Sequence, residues 1–161
     1  MKLYVAYGSN LNKNQMIHRC PDSIPLGNCF IPNWELAFNH YATIKRKKNG
    51  KCPAGLWLIS EKDEKVLDNY EGVRIKLYKK IQVNCIFKGK KIDKVLTYQM
   101  IISDINKGRS YSKSFETYYQ ICKEGYIDFE LNTMYLDEKA KKYIKTFEAD
   151  ENVGNRKEFL L

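Results

Sequence analysis

Three places in the chain hold residues that packing alone does not ask for. The first is Tyr7-Gly8-Ser9-Asn10-Leu11, where an apolar run meets a small-residue turn ahead of a helical pattern. Glycine lets a ligand approach the backbone, and successive N–H groups at such a turn can hold a carboxylate or an oxyanion. Turns of this kind also join strands to helices for purely structural reasons. The second is Glu71, expected at the C-terminal edge of a helix. A carboxylate there opposes the helix macrodipole by about 0.3–1 kcal/mol. If it is also desolvated, its pKa rises and it can carry protons near neutral pH. The alternative is an exposed Glu beside a capping Gly72. The third is a concentration of phenols at Tyr111, Tyr118, Tyr119 and Tyr126, in a chain with 12 Tyr. Packing at half-buried faces accounts for most of these.

The elements that would position these groups can be read from periodicity. Residues 2–7 alternate Leu3, Val5 and Tyr7 with Tyr4 and Ala6, which predicts a strand buried on both sides. A short helix is expected from Asn12, a suitable N-cap, to Arg19, ended by Cys20-Pro21. Residues 24–31 and 34–39 read as short strands joined at Pro32-Asn33. The segment 45–51, KRKKNGK, reads as an exposed hairpin tip with Asn49-Gly50 as its turn. An apolar strand over 54–60 leads to a helix over 61–72. There Val66, Leu67 and Tyr70 form the apolar stripe, acids crowd the first turn and Gly72 closes the end. Residues 76–87 and 90–102 form a hairpin turning near Lys88-Gly89-Lys90, with Ile81, Val83 and Cys85 on its buried face. Helical patterns return over 114–124 and 133–143. One α+β domain over 1–149 follows, a small, strongly curved mixed sheet or β-barrel flanked by helices, with 150–161 as a loose tail.

Composition narrows the classes. The 161 residues are 43% hydrophobic and 13% aromatic, enough for a substantial core. Lys and Arg number 28 against 19 Asp and Glu, a net charge of +9. Only five of the 28 are Arg, and it is Arg that makes bidentate contacts to phosphates and guanine edges. Solvated Lys therefore explains the excess better than nucleic acid does. No apolar run approaches the roughly 18 residues of a membrane span, and MKLYVAYGSN lacks a signal peptide's features. A soluble cytoplasmic chain is the expectation. Five widely spaced Cys without a CxxC pair, and only His18 and His40 beside them, predict reduced thiols and no metal site.

Taken together, these features resemble one family. Tyr4-Val5-Ala6-Tyr7-Gly8-Ser9-Asn10-Leu11 is similar to the opening strand and loop of the γ-glutamylcyclotransferases. Leu67-Asp68-Asn69-Tyr70-Glu71-Gly72-Val73, followed by Tyr78, resembles the segment carrying that family's catalytic Glu. Arg19-Cys20-Pro21 looks like the end of its first helix. Tyr118, seven residues before Gly125, is similar to the Tyr that lines its substrate pocket. The resemblance keeps one order from about residue 2 to 140. One departure is Ser114 and Phe115, where the family usually has Pro-Ser ahead of the pocket Tyr, so Tyr118 rather than Tyr119 is placed by its spacing to Gly125.

The resemblance implies cleavage of a γ-glutamyl amide by intramolecular cyclisation. The α-amine attacks its own side-chain carbonyl, giving 5-oxoproline and a free amine, without a cofactor or metal. It assigns Glu71 as general base and acid, with Tyr7, Gly8, Ser9, Asn10, Leu11 and Tyr118 binding the substrate. Related branches act on glutathione, γ-glutamyl-lysine-type amides or γ-glutamyl protecting groups. The implied partner is a small γ-glutamyl molecule, not nucleic acid or a membrane, and the implied state is a monomer or homodimer. Two other readings stand beside it: a non-catalytic binding module of the same fold, and a basic nucleic-acid-binding domain suggested by the +9 charge.

Overall fold

The computed structural model describes residues 1–101 and 113–158, with side chains over 1–101 and 114–146. Tyr111 and residue 102 lie outside the described residues. Strand β1 (Lys2–Ala6) is buried from Tyr4 onward, as its apolar run on both faces requires. It is followed by β2 (Ile24–Asn39), β3 (Tyr41–Ile59), β4 (Tyr78–Phe87) and β5 (Lys90–Met100). The order around the sheet is β1-β3-β2-β4-β5, and the sheet closes into a barrel. Neighbours are antiparallel except β1 and β5, whose parallel pairing at Tyr4 and Leu96 makes the closure. The expected mixed, strongly curved sheet is thus found in its closed form.

Among the described residues four helices flank the barrel: α1 (Lys13–Arg19), α2 (Glu61–Tyr70), α3 (Lys113–Asp128) and α4 (Thr133–Glu158). Trp57, Ile31, Leu36, Ile44 and Ile59 fill the core from the strands, with Tyr126 and Leu136 from the helices. Burying each such side chain contributes roughly 1.5–3 kcal/mol. Among the described residues no helix is long and apolar enough to cross a membrane. All five Cys are free and buried.

The long β2–β3 pair departs from the sequence reading. Pro32-Asn33 does not separate two strands. It is a bulge inside one, with Asn33 at φ 64°. Nor is Asn49-Gly50 the hairpin tip. Pro32 faces Lys51 while Trp34 faces Arg46, so residues 47–50 swell out of β3 opposite Asn33. The Asn33 side chain accepts the Asn49 N–H at 3.2 Å, and the Arg46 guanidinium lies 4.2 Å from the Trp34 ring centre. The turn signal is real, but it is used for a bulge. The chain reverses instead at His40, with φ 63°.

Helix α2 begins with a capping box. Ser60 Oγ accepts the Asp63 N–H at 3.1 Å, and Asp63 Oδ2 accepts the Ser60 N–H at 3.0 Å. Its buried face is narrower than the expected stripe. Leu67 is fully buried, whereas Val66 and Tyr70 are 37% and 47% exposed. The box satisfies one oxygen of Asp63, which lets that residue share the buried face with Leu67 one turn on. At the other end the Gly72 N–H donates to Asn69 O and the Val73 N–H to Asp68 O, a Schellman arrangement with Gly72 at φ 63°. Helix α4 runs to Glu158, so residues 150–158, expected as a loose tail, continue the helix.

Candidate active site

At the end of β1 the chain turns through Gly8 into a single 3₁₀ turn, Ser9–Leu11. A Cβ on Gly8 would lie 2.9 Å from Ala42 Cβ and 3.2 Å from the Tyr118 hydroxyl, so close approach makes glycine necessary here. The Leu11 N–H donates to Gly8 O and the Asn12 N–H to Ser9 O, both at 3.0 Å. Ser9 and Asn10 lead the turn, and their N–H groups have no acceptor within it. Asn12 then caps α1, its side chain accepting the Gln15 N–H at 3.0 Å. The turn is clamped from outside by α3. A Cβ on Gly125 would lie 2.6 Å from both Asn12 N and Leu11 Cβ, so only glycine lets the helix sit against this backbone.

These elements line a tight pocket with a cavity volume of about 30 Å³, smaller than the usual ligand pocket. Tyr7, Gly8, Ser9 and Asn10 line it together with Glu71 and Tyr118, so six of the seven residues assigned from sequence meet. Leu11 is the correction. It is fully buried and points away from the pocket into the core, between Gly55 and Gly125. An apolar residue closing a 3₁₀ turn serves that turn better as an anchor than as a ligand contact. Tyr118 rather than Tyr119 reaches the pocket. Tyr119 faces the other way, its hydroxyl donating to Asp137. Phe115 is core, packed edge-on against Phe38 at 5.4 Å, and does not form the pocket wall. Tyr126 is buried as packing predicts.

Four lining residues were not assigned from sequence: Tyr4, Ala42, Tyr78 and Tyr98. The phenols are held firmly. Tyr7 donates to Tyr98 O at 2.5 Å, Tyr78 to Ala42 O at 2.6 Å and Tyr98 to Asp68 Oδ1 at 2.7 Å. The Tyr118 oxygen accepts the Ala42 N–H at 3.1 Å. Burial pushes the hydroxyls of Tyr4, Tyr7, Tyr78 and Tyr118 well above the ordinary phenol range, so they act as neutral hydrogen-bonding groups. The signal available beforehand was positional: Tyr4 stands on the same strand as Tyr7, and Tyr78 follows the Glu71 segment.

Glu71 is the C-terminal cap of α2 and half-buried at the pocket wall. Burial pushes its carboxyl up to about 7, against the opposing effects of the Asn10 hydrogen bond and the Arg19 charge. The Asn10 amide donates to Glu71 Oε1 at 2.8 Å and to the Tyr4 hydroxyl at 3.0 Å. Asn10 therefore serves the carboxylate with its side chain, beyond the substrate contact expected of it. A carboxyl poised in this way can take and return a proton at neutral pH, beside N–H donors able to meet a negative oxygen. Among the described residues no group of three His, Cys, Asp or Glu could hold a metal ion.

A curved sheet closed on itself, with a glycine turn and one poised Glu, defines a class that comparison identifies. Residues 4–117 match the family described as "Gamma-glutamyl cyclotransferase, AIG2-like", and the chain belongs to that family. A solved structure described as "Gamma-glutamyl cyclotransferase" superposes with a TM-score of 0.72 at 22% identity, over 86% of each chain. An uncharacterized protein from Homo sapiens superposes at 0.73 and 23% identity, also over 86% of each. YkqA from Bacillus subtilis does so at 0.69 and 19%, over 91% of this chain and 55% of its own. At these identities the likeness shows a shared fold. No match was found among curated proteins.

Proposed function

We propose that the chain is a cyclotransferase that cleaves a γ-glutamyl amide to 5-oxoproline and a free amine, with Glu71 transferring the protons. The observation that carries this is the Glu71 carboxyl itself, raised to about 7 and set in the pocket wall beside the Gly8–Asn10 turn. In the first step the Glu71 carboxylate takes a proton from the substrate's α-ammonium. The freed amine attacks the side-chain carbonyl carbon, forming the ring C–N bond and placing negative charge on the carbonyl oxygen. The N–H groups of Ser9 and Asn10 are the donors assigned to that oxygen. The intermediate then collapses: the original amide C–N bond breaks as protonated Glu71 gives its proton to the leaving nitrogen. The extra proton left on the ring nitrogen passes through the freed carboxylate to the departing amine, which leaves as an ammonium. Glu71 ends as the carboxylate it began as, and no cofactor is consumed.

The nucleophile is tethered to its target, so correct orientation can contribute ~7–11 kcal/mol and the protein needs no nucleophile of its own. The phenols of Tyr78 and Tyr118 are assigned to shape the pocket around the glutamyl group. The test is a panel of γ-glutamyl amides (glutathione, γ-glutamyl-lysine-type and simple γ-glutamyl amines), scored for 5-oxoproline and free amine. Release from at least one substrate by the native chain is expected. Glu71→Gln should retain ligand binding and lose turnover by about 10²–10⁴-fold. Binding without release from any substrate would instead make the chain a binding module, and full activity in Glu71→Gln would remove Glu71 from the mechanism.

A further inference from the structure

Arg19 is the last residue of α1, half-buried, and it does not line the pocket. Its guanidinium nevertheless connects the pocket to the surface. Nη1 donates to Asn10 Oδ1 at 2.8 Å, while Nη2 donates to the Tyr70 hydroxyl at 2.6 Å and to Gln15 Oε1. The guanidinium carbon lies 3.6 Å from the centre of the Tyr70 ring. Tyr70, exposed on α2 and immediately before Glu71, thus acquires a role that core packing does not give it: it is the seat for Arg19. The consequence falls on Asn10. With Oδ1 held by the guanidinium, the NH2 group must face Glu71 Oε1 and the Tyr4 hydroxyl. A flipped amide would set its NH2 against another donor and its oxygen against the carboxylate.

We propose that Arg19 is a positioning residue for this site, locking the Asn10 amide so that it orients the Glu71 carboxylate from the side away from the substrate. This rests on the reading of Glu71 as the proton-transfer group. The groups around Glu71 come from every element packed on it: Tyr4 and Tyr7 from the β1 end, Asn10 from the turn, Tyr70 from α2, Tyr78 from β4, Tyr98 from β5 and Tyr118 from α3. Asp68 stands behind Tyr98, whose hydroxyl it accepts. Arg19 supplies the positive charge that offsets burial at Glu71. Without it the carboxyl would hold its proton to higher pH, and the free carboxylate needed to begin the reaction would be scarcer.

The experiment follows Glu71 directly in the full-length chain, by ¹³C NMR of labelled Glu carboxyls with the Glu71 signal assigned by its loss in Glu71→Gln. Arg19→Met is expected to move the titration midpoint up by about one pH unit. The low-pH limb of kcat should move with it, a drop of roughly tenfold at pH 6, while KM changes little. Arg19→Lys should restore the midpoint but only part of kcat, because an ammonium keeps the charge and lacks the planar fork that grips the amide while stacking on a ring. A folded Arg19→Met variant whose midpoint and pH profile match the native chain would overturn the proposal. Should that variant fail to fold, Tyr70→Ala unseats the guanidinium from an exposed position, and an unmoved midpoint there overturns it equally. If no substrate yields 5-oxoproline, the functional reading fails while the NMR titration still decides the role of Arg19.

Discussion

Glu71 is balanced between burial, which disfavours its charge, and Asn10 with Arg19, which favour it. The imbalance that remains has a stability consequence that needs no substrate. The carboxyl titrates near 7 when folded and near its ordinary 4.5 when unfolded, so between those values the folded state binds the extra proton. Stability from this group is complete below about pH 4.5 and is lost as pH rises through about 7. Glu71→Gln should therefore melt higher than the native chain at pH 8, by about 2 kcal/mol after allowing for partial exposure, with the gap closing below about pH 5. Thermal melts across this range check it, and a gap independent of pH would contradict the assigned titration. Loss of turnover together with gained stability is the joint signature of a residue kept for chemistry. That Glu71, Gly8 and Tyr118 meet in one place was legible in the sequence through the family resemblance, since each feature by itself also had a purely structural reading. Tyr4, Tyr78 and Tyr98 were not, since an aromatic on a strand reads as core until the closing of β1 onto β5 shows which end of the barrel it faces.

Two glycines carry the elements that hold this site, and they act by different physics. Gly72 is needed for its backbone: at φ 63° it ends α2 and sets the direction in which Glu71 leaves the helix. Gly72→Ala should cost about 1 kcal/mol, or ~2–4 °C in Tm, with kcat reduced as the carboxylate is displaced. Gly125 is needed for its lack of a side chain, because a Cβ there would meet backbone of the 7–12 turn that cannot yield. Gly125→Ala should cost about 1–3 kcal/mol and lower 5-oxoproline release in the same variant, since moving α3 moves both Tyr118 and the turn. A variant losing stability with unchanged kcat would uncouple the clamp from the pocket. The helix end at Gly72 was visible in sequence, as was the β4–β5 hairpin around Gly89, because each signal is complete within a few residues. The β2–β3 pairing was misread because Asn-Gly and Pro-Asn signal a change of backbone direction without saying whether it closes a hairpin or opens a bulge. Only the register across the partner strand, Trp34 against Arg46, decides between them.

Across the whole molecule the charge is organised by pairing. Glu35 is held by Lys139 at 2.6 Å and Lys45 at 3.3 Å, Glu64 by Lys2 and Lys80, Asp68 by Lys80 and Asp137 by Lys123. The net +9 remains after this pairing: Lys45 and Lys47 of the exposed 45–48 run share the single carboxylate of Glu35, so the run brings more positive charge than the acid it meets. Those side chains lie on the β2–β3 bulge and do not line the pocket, whose own walls are phenols, small residues and one carboxyl. The excess thus adds a diffuse positive field around a site built without a lysine or arginine in its lining. Such a field raises the encounter rate of an anionic substrate and leaves the bound chemistry alone. For a γ-glutamyl amide with net negative charge, kcat/KM should fall by about 2–3-fold as ionic strength rises from roughly 10 to 150 mM, while kcat stays constant. A substrate of zero net charge should show neither change, which makes it the internal control. The nucleic-acid reading predicts something different in kind: association falling steeply with salt, in proportion to the number of phosphates contacted. Steep salt-dependent binding to a DNA or RNA duplex, with kcat/KM for the small substrate insensitive to ionic strength, would reassign the charge from steering to docking. A shallow, substrate-charge-dependent effect on kcat/KM alone would place it with the enzyme.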